Sequence, residues 1–383
     1  MMNMAKKIGF ISLGCPKNQV DSELMLKKLA DAGYEIIDTP IGADAVIINT
    51  CGFIEAAKQE SIDNIFEMAG YKEDGDVGKI IVVGCMAERY REEILKEMPE
   101  VDAVAGIGAN GDIVSFVDSV FEGKENMLFP EKEKLPLCGE RLLTTPSYRA
   151  YLKIADGCSN CCTYCAIPKI RGPQRSRPIE SIVEEAKRLA SDGVKELTVI
   201  AQDTTRYGDD IYGEPKLDEL LKQLDVIDGI EWIRLLYCYP DRLTDSVLET
   251  MRDSKHVLHY IDLPLQHANG RILKAMNRRG DSASLLALIG KIRDYMPDCV
   301  IRTTFMTGFP GEDDEAFNEL SEFVNAARFD RLGCFAFSPE EGTAAADMTE
   351  RPEKEVAEHR GEVIMDQQYK IFCEKQEELI GER

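Results

Sequence analysis

No run of apolar residues in this 383-residue chain approaches the length of a membrane span, which excludes a membrane-spanning helix on sequence grounds. A signal-peptide pattern is also missing: MMNMAKKIGF runs within a few residues into what reads as a first strand, so the expected location is the cytoplasm. Positive charge is in short supply. Lys and Arg number 46 against 69 Asp and Glu, a net charge of −23. Such a surface repels polyphosphate unless a local basic patch intervenes, and it attracts basic partners, so RNA is disfavoured as a substrate. Much of this charge, as in GEDDEAFNELSEF, solvates outward helix faces. With 44% apolar and 30% charged residues, the composition is that of a soluble globular protein long enough to bury two cores.

Cysteine is plentiful. Twelve residues would suggest disulfides in a secreted chain, but in a cytosolic one they point to metal binding or catalysis. Cys158, Cys162 and Cys165 in GCSNCCTYCAIP are spaced C-x-x-x-C-x-x-C. Three thiolates on one short loop can hold three corners of a 4Fe–4S cluster and leave the fourth iron open. The competing reading is a structural zinc site, which shows paired C-x-x-C knuckles and four ligands; no second knuckle or His pair follows here. Because Cys161 and Cys162 are adjacent, the string also fits a ligand set of Cys158, Cys161 and Cys165. The spacing, with Tyr164 just before the last cysteine, resembles the signature of the radical S-adenosylmethionine (SAM) enzymes. That resemblance favours Cys162 over Cys161. It implies that SAM chelates the open iron and that the reduced cluster cleaves it to a 5′-deoxyadenosyl radical.

Residues 1–125 alternate strand-length apolar runs (KIGFISLG, DAVIINT, KIIVVG, VDAVAGI) with helical patterns at 18–32, 54–70 and 87–97. The order predicts an α/β fold with a doubly wound parallel sheet. Cys15, Cys51 and Cys85 follow three of those runs, each beside a Gly or Pro. Ligands of open α/β sheets bind beyond the carboxyl ends of the strands, so these three are a candidate second 4Fe–4S site. The alternative is three small buried thiols, the usual lot of a free cysteine.

A Pro-rich, charged stretch at 126–146 without steady period reads as a linker. Over 147–345, six strand-like runs (RAYLKIA, KELTVIA, EWIRLLY, LHYIDLP, CVIRTTFMT, RLGCFAF) alternate with helical stretches at 179–192, 216–226, 244–253, 281–295 and 313–327. Six β-α units predict a partial (β/α)6 barrel, with chemistry on the loops after the strands. On those loops Gln202, Asp203, Arg206 and Thr304 are candidate SAM contacts, with Tyr164 beside the cluster. Gly308 and Gly311 either let the backbone approach the adenine or only shape a turn. His267 reads as a ligand, a base or a structural imidazole. Arg171, Arg175 and Arg177 in IRGPQRSRP either grip a SAM carboxylate or an acidic part of the substrate, Arg177 foremost, or form an ordinary loop. Cys138, Cys238, Cys299, Cys334 and Cys373 have no partner spacing and read as plain thiols.

Taken together, SLGCPKNQVDSE, NTCGFIEAAKQESI, VVGCMAERY, DGCSNCCTYCAIPKIRGPQRSRP and TGFPGEDDEAF closely resemble the methylthiotransferases, radical SAM enzymes that install a methylthio group at an unactivated C–H bond. The resemblance covers essentially the whole chain. It is strongest to the branch that modifies the β-carbon of an aspartate of the small-subunit ribosomal protein S-twelve. The transfer-RNA branch usually reads YGCQMN where this chain has SLGCPKN. The resemblance implies one cluster on Cys15, Cys51 and Cys85, another on Cys158, Cys162 and Cys165, and two uses of SAM. One SAM methylates sulfur at the first cluster; the other yields the radical that takes hydrogen from the aspartate. An external electron donor and a sulfur donor are implied as well. Family members normally end in a small β-barrel, the TRAM domain; here 346–383 reads as a charged helical segment leading to where that domain is expected and absent.

Two other functions compete. A transfer-RNA (adenosine) methylthiotransferase shares the chemistry and is opposed by the acidic balance. A non-catalytic two-cluster electron carrier would bind no SAM, and a six-unit barrel is more apparatus than it needs.

Overall fold

The computed structural model describes residues 5–381. The chain forms two compact units. One runs through Ser147 and includes Asp156–Ser159 and Ala166–Arg177; the other comprises Tyr148–Ala155, Asn160–Cys165 and the chain from Pro178 onward.

The first unit is a parallel sheet of β1 (Lys7–Ser12), β2 (Glu35–Ile37), β3 (Ala45–Thr50), β4 (Ile80–Gly84), β5 (Ala103–Ala105) and β6 (Met127–Leu128), ordered β2-β1-β3-β4-β5-β6. Alternation along the strands builds two cores. Val46, Ile48, Ile80 and Val82 face α2 (Glu55–Glu73), α3 (Cys85–Tyr90) and α4 (Glu92–Glu97), whereas Ala45, Ile47, Ile81 and Val83 face α1 (Pro16–Asp31) and α5 (Ile113–Glu122). Burial on both faces explains the unbroken apolar runs at 45–48 of β3 and 80–83 of β4. The sheet is doubly wound, as expected. The order reverses between β1 and β3, the switch point at which such sheets bind ligands. Register aligns the strand ends there, pairing Ser12 with Asn49 and Thr50 with Gly84.

Two features depart from the expectations. The segment 126–146 is not a free linker. Met127–Leu128 pairs with β5, and Glu23 of α1 accepts hydrogen bonds from Arg141 Nη1 (3.1 Å) and from the Thr144 backbone N–H (2.9 Å) and hydroxyl (3.0 Å). A two-residue strand is too short to show a period, and irregular backbone held by one buried carboxylate shows none either. The single helix expected over 87–97 is two helices. Arg91 between them sits at φ 41°, a left-handed conformation that ends a helix.

The second unit contains the six expected strands, β7 (Arg149–Lys153), β10 (Glu196–Ile200), β11 (Trp232–Leu235), β12 (Val257–Asp262), β13 (Val300–Thr307) and β14 (Arg331–Ala336). In the chain, the two-residue strands β8 (Ala155–Asp156) and β9 (Arg175–Ser176) precede and follow the cysteine loop, β9 belonging to the first unit. The six are parallel and run in order β7-β10-β11-β12-β13-β14, with β7 and β14 as open edges: a partial barrel. Helices Ile179–Ser191, Leu217–Asp225, Asp245–Asp253, Ser282–Tyr295 and Asp314–Ala327 lie within a residue or two of their expected bounds. Their starts are chemically marked: Thr244, Asp281 and Asp313 accept hydrogen bonds from the backbone N–H groups of Val247, Ser284 and Ala316. The C-terminal helix Lys354–Glu378 packs on β14 and β13.

An aromatic cluster of Phe305, Phe323 and Phe329 fills the β13 end of this unit, with Phe305 rings 6.1 and 5.8 Å from the other two. Phe305 is fully buried. Phe305→Ala is expected to lower unfolding stability by about 3–5 kcal/mol, measured by denaturant titration, through lost transfer energy and the cavity left behind. A loss under about 1 kcal/mol would contradict this packing.

Candidate metal-cluster sites

Three glycines bring the first cysteine set together. Gly14 sits at φ +86°, and a β-carbon there would stand 2.7 Å from Cys51 Cβ and 3.0 Å from its Sγ. At Gly52 a β-carbon would lie 2.8 Å from Met86 Cα, and at Gly84 2.1 Å from Asn49 Oδ1. Only bare glycine backbones let the three strand ends close in this way. Cys15 then caps α1, Cys51 follows β3 directly, and Cys85 opens α3. Ser61 fixes the Cys51 backbone, its hydroxyl accepting from Cys51 N–H and donating to Cys51 O, both at 3.1 Å.

A fully buried guanidinium stands among these thiols. Arg171 Nη1 donates to both Asp156 carboxylate oxygens at 3.0 Å, while Nη2 donates to Asn18 Oδ1 (2.6 Å), Asp21 Oδ2 (2.9 Å) and Cys85 Sγ (3.5 Å). Its side chain is 1% exposed. The thiols respond unequally. Burial would raise Cys15, but Lys17, Arg171 and the backbone N–H groups of Asn18 and Lys17 outweigh it and lower its pKa, as expected at a helix N-terminus. Cys51 is raised, chiefly by burial. Cys85 is pushed up to about 12 by burial, with Arg171 opposing. Asn18 completes the frame, donating to Leu13 O (3.1 Å) and Thr50 O (2.9 Å).

Within the second unit, Cys162 and Cys165 lie beside Tyr164, whose pKa is raised by burial and by these two thiols while Arg278 works against them. Arg278 Nη1 donates to Cys162 Sγ (3.9 Å) and Tyr164 Oη (3.4 Å), and its guanidinium stacks 4.2 Å from the Tyr239 ring centre. Cys161 is exposed, in a left-handed turn at φ 53°, its carbonyl accepting from Asn277 Nδ2 at 3.0 Å. Cys162 therefore faces charged and aromatic partners while Cys161 faces solvent. Cys158, in the first unit, is buried, and its N–H donates to Gly172 O at 3.1 Å.

Other candidates find mixed places. Asn160 Nδ2 donates to Asp203 Oδ2 (2.7 Å), and Arg206 Nη1 donates to Asn160 Oδ1 (3.3 Å), so Asp203 and Arg206 grip the cysteine loop. Asp203 Oδ1 is taken by Thr205 backbone N–H and hydroxyl. Thr304 lies on β13, its carbonyl bonded by Gln266 N–H at 2.8 Å, and Gln202 follows β10. At Gly308 a β-carbon would be 2.2 Å from Ala357 Cβ, so packing and the turn require a bare backbone there. His267 is a structural imidazole, fully buried, with Nδ1 accepting from Asn269 N–H (3.0 Å) and Nε2 on Glu312 Oε2 (3.2 Å). Glu312 is shared with Arg360 of the C-terminal helix. The arginine trio does not act as one group. Arg171 belongs to the first cysteine set, Arg175 Nη1 donates to Glu133 O and Leu135 O at 2.9 Å, and Arg177 is buried. The sequence reading gave no role to Arg278, Tyr239, Asn18 and Asn160; Asn18 and Asn160 lie inside the quoted motifs and Tyr239 on the loop after the third barrel strand, whereas Arg278 left no signal.

Among the described residues, no three His, Cys, Asp or Glu side chains gather tightly enough around one metal ion. A cuboidal cluster spreads its thiolates over separate irons and accepts sulfurs farther apart than a single ion does. Three soft sulfur donors at one sheet edge, with a buried guanidinium beside them, fit a three-thiolate 4Fe–4S cluster. Cys162 and Cys165, with Arg278 beside them, fit two ligands of the other.

Residues 7–106 match the uncharacterized protein family UPF0004, and residues 152–324 the radical SAM superfamily. The ribosomal protein uS12 methylthiotransferase RimO of Desulforamulus reducens is 50% identical over 381 residues, spanning 98% of this chain and 85% of that protein. RimO of Lachnoclostridium phytofermentans is 47% identical over 378 residues, 98% and 86% of the two chains. The chain belongs to the RimO family. Two 4Fe–4S clusters and SAM are accordingly its cofactors. In fold it also resembles a radical SAM methyltransferase, TsrM from Kitasatospora setae (TM-score 0.66, 12% identity, 89% of this chain and 75% of that one). Among the described residues no helix is long and apolar enough to cross a membrane.

The Cys161 and Cys162 environments give a direct test of register in this RimO-family chain. Cys162→Ala is expected to lose one of two clusters on anaerobic reconstitution, and Cys161→Ala to keep both, by iron and sulfide content. The reverse pattern would move the ligand set to Cys158, Cys161 and Cys165.

Proposed function

We propose that this protein is a radical SAM methylthiotransferase that adds a methylthio group to the β-carbon of an aspartate in ribosomal protein uS12, in the cytoplasm. The observation that carries this reading is a pair of three-cysteine sets in a chain similar over almost its whole length to proteins named for that reaction. Cys15, Cys51 and Cys85 hold one 4Fe–4S cluster, and Cys158, Cys162 and Cys165 the other. When bound, the clusters and SAM supply the radical and the methylated sulfur; an external electron donor and a sulfur donor complete the inputs.

The chain's own residues do the positioning. Arg278 holds positive charge against Cys162 and stacks on Tyr239, which fixes its guanidinium beside Tyr164. Asp203 and Arg206 clamp Asn160, so the loop between the cysteines cannot drift from the end of β10. Tyr164, Gln202, Arg206, Thr304 and Arg177 are the proposed SAM contacts. Asp203 supports the cysteine loop behind them. The net charge of −23 suits a basic protein partner better than RNA.

Reconstituted enzyme given dithionite, SAM and either uS12 or transfer RNA is expected to convert only uS12, read as replacement of one hydrogen by a methylthio group on an aspartate-containing peptide. Modified transfer RNA with unmodified uS12 would reverse the assignment. Absence of 5′-deoxyadenosine under reduction would favour a non-catalytic cluster protein.

A further inference from the structure

Arg171 is the largest fully buried side chain among the described residues, and none of the expected SAM or substrate contacts explains it. Its guanidinium reaches Cys85 Sγ at 3.5 Å, while the next residue, Gly172, accepts the N–H of Cys158 at 3.1 Å. Asp156 closes the frame. Its carboxylate takes both Arg171 Nη1 bonds, and its Oδ1 also accepts the Gly157 N–H at 2.9 Å. Gly157 has no room for a side chain, since a β-carbon would stand 2.1 Å from Pro173 O. One short segment, Asp156–Cys158 against Arg171–Pro173, therefore touches a ligand from each cysteine set, and all of it lies in the first unit.

We propose that Arg171 is a positioning residue for both clusters: its guanidinium donates to the Cys85 thiolate and balances its charge, and the frame it makes with Asp156 sets the backbone of Cys158. Donors and positive charge at a cluster thiolate stabilise the reduced, more negative state, so they raise the reduction potential. Arginine suits the place because its planar fork serves Asp156, Asn18, Asp21 and Cys85 at once; a lysine ammonium has three donors and no fork.

The proposal rests on both clusters being present, so wild-type iron and sulfide content is measured first. One cluster or none there would mean that the cluster reading itself fails, independently of Arg171. Full-length Arg171→Lys and Arg171→Met, reconstituted anaerobically, are then titrated with the electron paramagnetic resonance signal of each reduced cluster as readout. Each signal is assigned in backgrounds lacking the other cysteine set. Arg171→Lys keeps a charge between the two carboxylates and so folds even where Arg171→Met does not.

The expected result is a lower potential for the Cys15/Cys51/Cys85 cluster, together with an altered signal from the Cys158/Cys162/Cys165 cluster, in Arg171→Lys as well as in any folded Arg171→Met. Arg175→Met, whose wild-type side chain only bonds the Glu133 and Leu135 carbonyls, is expected to move neither. Wild-type potentials and signals for both clusters in Arg171→Lys, or a change confined to one cluster, would overturn the dual role.

Discussion

Everything functional in the first unit depends on one steric condition: backbone without side chains at Gly14, Gly52 and Gly84. The sheet delivers three strand ends level with one another, because Ser12, Asn49 and Thr50 pair in register with their neighbours and with Gly84. Register alone would leave the cysteines lined up but apart. The glycines allow the loops after β1, β3 and β4 to fold onto each other, and the thiols of Cys15, Cys51 and Cys85 then all feel the charge of the buried Arg171. A methyl group at Gly14 would occupy the space of the Cys51 side chain itself.

The energetic consequence is a costly arrangement made tolerable by pairing. A buried guanidinium is stable only when every donor finds an acceptor and the charge is matched. Arg171 meets the charge condition through Asp156 and Asp21, and both its terminal nitrogens find acceptors on Asp156, Asp21 and Asn18 while still reaching Cys85. The same principle recurs around Cys162, where Arg278 is held by Tyr239, Tyr164 and the Pro264 carbonyl. Each cysteine set thus has its own nearly buried arginine. Thiolates carrying iron need positive charge nearby if electrons are to be added, and neither site leaves this to solvent.

Much of the architecture was legible because periodicity is a property of the chain itself. The unbroken apolar runs of β3 and β4, the six β-α units and five helices of the second unit followed from spacing alone, and the cysteine pattern pointed to the chemistry. What escaped had physical reasons. Met127–Leu128 is too short to carry a period, and Arg91 breaks a helix through a conformation that its residue type does not advertise. Arg171 lies close in sequence to the 158–165 loop yet bonds Cys85, more than eighty residues away. Arg278 reaches Cys162 from more than a hundred residues away. Such contacts depend on tertiary folding and leave no mark in local pattern. Gly308 stayed between two readings for a related reason: a glycine needed for close packing reads the same in sequence as one needed to admit a ligand.

The central claim is that two distinct three-thiolate sites each hold a cluster, one at the sheet edge and one on the 158–165 loop. Iron and sulfide counting on anaerobically reconstituted protein, wild type against a Cys15/Cys51/Cys85 triple alanine variant, addresses it most directly. The account requires two clusters in the wild type and one in the variant, with the remaining cluster still altered spectroscopically by SAM. Equal iron in both proteins would contradict it, because the three N-terminal thiols would then be ordinary buried cysteines.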